Sequence, residues 1–168
     1  MTRAVLSIGA NLGDRRSRLQ GAVDAFRPWL RAVSAVYETP PWGPIAQGPY
    51  LNAVLLAEDP GADPGLWLQR AQAAEQVAGR TRAVRWGPRT LDVDVVTVYG
   101  DGGGAEIVSA DPDLTLPHPR AQDRAFVLVP WSALDPLALL RERAVRDWLA
   151  ALPAADVAGV QPYPAVLT

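Results

Sequence analysis

The 168-residue chain is 49% hydrophobic and 20% charged, enough for one domain with a substantial core and too apolar for a disordered polymer. A net charge of −2 gives it no general attraction to nucleic acid or to an anionic membrane. The absence of cysteine excludes disulfides, thiolate nucleophiles and thiolate metal sites.

All 16 basic residues are arginine, a bias that base composition explains, since Ala, Gly and Pro are favoured with it. No segment has the length of a membrane span or the cleavage pattern of a signal peptide, so a cytoplasmic protein is expected.

In chain order, "AVLSIG" reads as a short buried strand ending at Gly9, followed by the turn "GANLGDR". Leu19, Ala22, Val23, Phe26 and Leu30 then recur at spacings of three and four, which predicts a helix. "VSAVYETP" predicts a second strand stopped by Pro40 and Pro41, and "PPWGPIAQGP" has the composition of a binding loop. "YLNAVLLAE" predicts the third strand. Asp63 and Pro64 read as N-cap and first residue of a second helix, running to about Val77 and ending near Gly79.

An arginine-rich loop leads into the fourth strand, "TLDVDVVTVYG", and the hairpin turn "GDGGG". "AEIVS" and "LTLPHPR" read as short extended pieces. "RAFVLVPW" and "AVRDWLAAL" read as helical, although "FVLV" suits a strand equally well. The tail "DVAGVQPYPAVLT" holds too much proline for a regular element. No repeat or second domain is visible, so residues 1–168 are expected to form one domain. The order β-α-β-β-α-β predicts an α+β sandwich, a mainly antiparallel sheet with helices on its faces.

Residues two apart on a strand share a face, about 7 Å apart at Cα. Asp92 and Asp94 are thus neighbours on one face, while Leu91, Val93 and Val95 take the other, apolar one. Two carboxylates this close repel unless a cation lies between them. Oxygen ligands without His or Cys suit Mg²⁺ or Mn²⁺. A bare D-x-D also fits a solvated strand face. Here, however, Arg80, Arg82, Arg85 and Arg89 lie just upstream, and guanidinium groups bind phosphate bidentately. The combination points to a metal–polyphosphate complex.

His118, the sole histidine, sits between prolines in "LPHPR", with Arg120 and Arg124 close behind. It reads either as a loop histidine bonded to backbone or as a donor to phosphate. Tyr50 and Asn52 share a strand face, and Phe126 lies beyond the His118 loop. Two aromatics can sandwich a flat heterocycle and an amide can read its edge, although core packing also suits Phe126.

"SIGANLGDR", "YETPPWGP…PYLNAV", "GRTRAVRWGPRTLDVDVV" and "LPHPR…RAFVLVP" follow one another in an order and spacing that resembles the 6-hydroxymethyl-7,8-dihydropterin pyrophosphokinases of folate biosynthesis. The resemblance covers residues 4–131, and the R-W-G-P-R-T-L-D-x-D block is its most specific part. It implies a ferredoxin-like fold and transfer of diphosphate from ATP to the pterin hydroxymethyl group, with release of AMP. It also implies that Asp92 and Asp94 hold two Mg²⁺ ions and act in catalysis with Arg82 and Arg89. Arg80, Arg82, Arg89, His118 and Arg124 would bind ATP, with Gln72 and Glu75 near the nucleotide. Tyr50 and Phe126 would stack on the pterin and Asn52 would bond its edge. Thr39, Pro40 and Trp42 would line the pocket, and Trp86 would enter it with the loop at 80–88; Asp92 would also touch the pterin. Small-molecule substrates and a monomer are implied, without nucleic acid or membrane. Pro119 stands where some members carry an aromatic residue, so any contact from that side chain to ATP is lost.

Two other readings compete. A nucleotidyltransferase also uses D-x-D on a strand, but shortly after a Gly-Ser loop, and the only comparable loop here, at Gly9, lies far upstream. An RNA-binding split βαβ domain lacks its aromatic motif in this acidic chain.

Overall fold

The structure is a computed structural model, which describes residues 1–41, 43–79, 90–101 and 104–168. Strand β1 (Thr2–Ala10) leads into helix α1 (Arg15–Phe26), which Asp14 caps by accepting the Ser17 amide at 3.1 Å. Strands β2 (Leu30–Val33), β3 (Tyr37–Thr39) and β4 (Tyr50–Asp59) follow. Helix α2 (Pro64–Val77) begins, as its sequence predicts, at the Asp63–Pro64 cap. It ends at Gly79, whose φ of +73° suits a residue without a β-carbon.

Strand β5 (Asp92–Tyr99) completes the β-α-β-β-α-β series. Beyond it lie β6 (Ser109–Asp111), β7 (Leu114–Leu116) and α3 (Ala125–Leu134). The last elements are β8 (Leu139–Leu140), β9 (Arg143–Ala144), α4 (Val145–Ala150), α5 (Ala154–Ala158) and β10 (Gln161–Pro162).

The main sheet runs β10-β3-β4-β1-β5, with β2 also on β4, and every pairing is antiparallel. This is the ferredoxin-like α+β sandwich that the sequence leads one to expect. One face carries Leu6, Ile8, Leu55 and Val95 against Leu19, Phe26 and Trp67 of α1 and α2. The other carries Val5, Val54 and Val96 against Leu128 and Trp131 of α3 and Val145 of α4. The sheet therefore separates two apolar layers, and polar groups collect where the second thins out, at the β5 N-terminus.

Four expectations need adjustment. The first helix stops at Phe26, ahead of Pro28, and Leu30 opens β2 instead of extending it. The second strand is two strands, because Ser34 interrupts it: its Oγ accepts the Val54 amide at 2.9 Å and donates to the Ala35 carbonyl at 2.8 Å. Both pieces still pair with β4. The "FVLV" ambiguity resolves as helix, with Pro130 inside α3. The tail is not irregular throughout. It forms α5, then pairs with β3 through Gln161↔Glu38 and Pro162↔Tyr37, a short edge on which proline is tolerated.

Strand β5 is the other lateral strand, and its outward groups are largely satisfied. Val93 N–H donates to Glu75 of α2 at 2.9 Å, the Val96 carbonyl accepts from His118 N–H at 2.7 Å, and the Val98 carbonyl from Ile107 N–H at 2.8 Å. A register shift in the β1–β5 pairing follows Val95, which faces Leu6, so that Val5 faces Thr97 and the alternation restarts.

Candidate functional site

The alternation of β5 holds through the D-x-D stretch. Leu91, Val93 and Val95 all lie in the core under α1 and α2, while Asp92 and Asp94 face the other way, each half-buried. The strand thus buries its apolar residues and offers two carboxylates at one end of the sheet.

Cross-strand register decides what lies beside them. Tyr37 pairs with Asn52, Asn52 with Gly9, and Gly9 with Asp92, so four strands contribute one continuous row. Next to it, Asp94 pairs with Ser7, which is buried. Neighbouring strands lie about 4.8 Å apart, which puts Asn52 and Asp92 about 10 Å from one another with Gly9 between them. A β-carbon on Gly9 would lie 2.8 Å from Asn52 Oδ1 and 3.5 Å from Tyr50 Cδ1. The missing side chain leaves that space to the Asn52 amide. The sequence marks Gly9 as a strand end and the start of a turn, and does not reveal this packing, because its neighbours here come from distant parts of the chain.

Asn52 is buried, and its Nδ2 donates to Thr39 Oγ1 at 2.6 Å. That bond orients the amide. A cavity of about 220 Å³ opens between Thr39 and Pro40 on one side and Phe126, Asp156, Gly159 and Val160 on the other. Tyr50 lies beside Gly9, and Phe126 stands half-buried in the first turn of α3.

Arg124 links this apolar wall to the carboxylates. Its guanidinium lies 3.4 Å from Asp94 Oδ2 and 5.5 Å from the centre of the Phe126 ring. The Asp94 side chain remains 41% exposed, which leaves it accessible to a ligand beside Arg124. Among the described residues no group of three or more His, Cys, Asp or Glu side chains could hold a metal. Two hard oxygen donors without a third protein ligand fit Mg²⁺, which keeps waters and takes phosphate oxygens to complete its shell.

His118 is held on the outer edge of β5 by its own backbone, two residues beyond Asp94. Its Nδ1 accepts the Arg120 amide at 3.1 Å, which leaves the proton of the neutral ring on Nε2. Burial lowers the imidazole pKa, and Arg124, Arg120 and Arg141 lower it further against the opposing charge of Asp94. A neutral Nε2–H donor results.

Glu75 and Gln72 differ in position. Gln72 is exposed on α2, whereas Glu75 is buried one turn later with its carboxylate on the Val93 amide, between the two aspartates. Glu75 therefore braces the strand that presents them. Trp42, Arg80, Arg82, Arg85, Trp86 and Arg89 lie outside the described residues.

Three comparisons bear on this site. The family model described as 7,8-dihydro-6-hydroxymethylpterin-pyrophosphokinase (HPPK) matches residues 5–136. The chain is 50% identical over 163 residues to the Mycobacterium tuberculosis protein named 2-amino-4-hydroxy-6-hydroxymethyldihydropteridine pyrophosphokinase, covering 93% of this chain and 87% of that one. A protein of the same name from Methylorubrum extorquens is 40% identical over 165 residues, covering 96% and 98%. Among solved structures, wild-type Plasmodium falciparum HPPK-DHPS superposes with a TM-score of 0.61 at 13% identity, covering 89% of this chain. An HPPK-DHPS in complex with substrates gives 0.65 at 12% identity, again over 89% of this chain. The chain spans 44% and 43% of those two longer proteins, which share its fold.

Proposed function

The chain belongs to the 7,8-dihydro-6-hydroxymethylpterin-pyrophosphokinase family, and from that membership and the geometry at the end of β5 we propose how its residues divide the work. The activity is transfer of diphosphate from ATP to 6-hydroxymethyl-7,8-dihydropterin, with release of AMP, in folate biosynthesis. Magnesium accompanies ATP as co-substrate.

The pterin lies between Tyr50 and Phe126, its edge on Asn52 and its rim against Thr39 and Pro40. Asp92 and Asp94 hold two Mg²⁺ ions. Arg124 and the Nε2–H of His118 bind phosphate oxygens, and Arg80, Arg82 and Arg89 close the charge balance. Gln72 lies near the nucleotide. Trp42 and Trp86 complete the pterin pocket. The observation that supports this reading is the row Asn52–Gly9–Asp92, in which an amide and a carboxylate flank one glycine on the same face of the sheet.

In the reaction the pterin hydroxyl releases its proton and its oxygen bonds to the β-phosphorus, while the bond from that phosphorus to the oxygen kept by AMP breaks. Bound Mg²⁺ supplies charge neutralisation for the triphosphate. The protein's part is mainly positioning. Asn52, oriented by Thr39, sets the pterin in the plane of its own amide. Asp92 reaches the pterin as well as the metal side. Arg124, already against Asp94, meets negative charge as it shifts toward the departing AMP.

Residues 1–168 act as one domain and as a monomer. The tail supports this by pairing back onto β3, and Glu75, His118 and Ile107 support it by covering β5, so little sheet edge is left for a second copy. No described helix is long and apolar enough to cross a membrane. Dependence on ATP fits a cytoplasmic site of action.

Counting Mn²⁺ bound with a non-hydrolysable ATP analogue and the pterin tests the assignment. Two ions per chain are expected, and fewer in Asp92→Asn or Asp94→Asn. A count unchanged by either substitution would refute it.

A further inference from the structure

Arg15, the first residue of α1, reaches three separate parts of the chain. Its Nη1 donates to Glu38 Oε2 at 2.8 Å and to the Pro49 carbonyl at 3.1 Å. Its guanidinium carbon also lies 5.4 Å from the centre of the Tyr163 ring. Glu38 directly precedes Thr39 and Pro49 directly precedes Tyr50, so one nitrogen is bonded beside each of two pocket residues.

The need for such a clamp follows from the sheet. Strand β3 is only three residues long, and Thr39↔Tyr50 is its last pairing with β4. A terminal pairing on so short a strand frays readily. The same β1–α1 turn adds a second fastening, since Asn11 Nδ2 donates to Gln47 Oε1 at 2.8 Å and to the Gly48 carbonyl at 3.0 Å. Tyr163 is itself anchored to the sheet, its N–H donating to the Val36 carbonyl at 2.9 Å just after β10 pairs with Glu38 and Tyr37.

We propose that Arg15 is a positioning residue for the pterin pocket: it sets the separation of Thr39 and Tyr50, and through Tyr163 it ties the C-terminal tail to that pocket. The inference rests on the pterin assignment above. Arginine suits the task because one planar guanidinium can bridge two acceptors while its face rests on a ring, whereas an ammonium offers a point charge on a flexible stem. The ion pair alone, with side-chain exposures of 23% and 36%, would contribute little. The bridging geometry is what matters.

The test uses Arg15→Ala, Arg15→Lys and Tyr163→Ala in the full chain, with two readouts. Steady-state kinetics should show the pterin KM of Arg15→Ala raised about fivefold to twentyfold, with the ATP KM within about twofold of wild type. Lysine should restore part of the loss, and Tyr163→Ala should show a smaller shift in the pterin KM alone. Amide exchange at Tyr50 and Leu51, which requires no turnover, should accelerate in Arg15→Ala. Unchanged exchange, or a rise in both KM values in equal proportion, would overturn the proposal. A wild-type chain that fails to turn over the pterin would instead count against the substrate assignment, and exchange would still decide whether Arg15 clamps the strand end.

Discussion

Gly9 and Asn52 face one another across the β1–β4 pairing with no space for a methyl group between them: a β-carbon at Gly9 would lie 2.8 Å from Asn52 Oδ1. The amide occupies the volume that any other residue at position 9 would fill. Its orientation, set by the 2.6 Å bond to Thr39, therefore depends on a glycine from another strand.

Gly9→Ala should push the Asn52 amide off its Thr39 partner. An overpacked position of this kind costs about 1–3 kcal/mol. The pterin KM should rise more than the ATP KM, and thermal denaturation should show a lowered midpoint. Wild-type values for both would show that Asn52 has room to spare.

Glu75→Ala would leave the Val93 amide without its acceptor in a buried setting, at a cost of about 1–3 kcal/mol. Because that amide lies between Asp92 and Asp94, activity should fall along with stability. Glu75→Gln keeps an acceptor oxygen and should recover most of both. Full activity in the alanine variant would separate the brace from the carboxylate pair.

His118 should titrate below the ordinary imidazole value of 6.5 in the protein free of metal and nucleotide, because burial disfavours its charged form. With the folded-state value depressed, the unfolded chain takes up the proton first as pH falls. Stability therefore drops between pH 6.5 and the lower folded-state value, and flattens beneath it. Thermal midpoints of wild type and His118→Gln should diverge across that window, and histidine proton NMR should give the lowered value directly. A bound phosphate would shift it back upward.

Arg124→Ala should remove the cation from both Asp94 and the Phe126 ring. The expected result is weaker ATP binding together with weaker pterin binding, measured by calorimetry. Lysine should restore the ATP part better than the pterin part, since it lacks the flat face that rests on the ring. Loss confined to one substrate would separate the two contacts.

Much of this was legible in the chain. The alternation in "LDVDVV" foretold which side chains β5 buries and which it offers, because a period of two is a local property. The Asp63–Pro64 cap foretold where α2 begins for the same reason. The role of Gly9 was not legible, since it comes from pairings with Asn52 and Asp92 that only the folded register reveals. Nothing in "AQAAEQV" says that the Glu75 carboxylate, whatever its part near the nucleotide, also accepts a strand amide. The tail misled through its prolines: Pro162 forbids a central strand but not a two-residue edge pairing on β3. The "FVLV" run is apolar in both periods, so only its packing under the sheet settles it as helix.

The most direct measurement is to incubate the protein with Mg-ATP and 6-hydroxymethyl-7,8-dihydropterin and identify the nucleotide formed, beside Asp94→Ala under the same conditions. AMP that appears only with the pterin, and is nearly abolished in Asp94→Ala while pterin binding persists, is the predicted result. ADP as the product, or AMP formed as fast by Asp94→Ala as by wild type, would contradict the account.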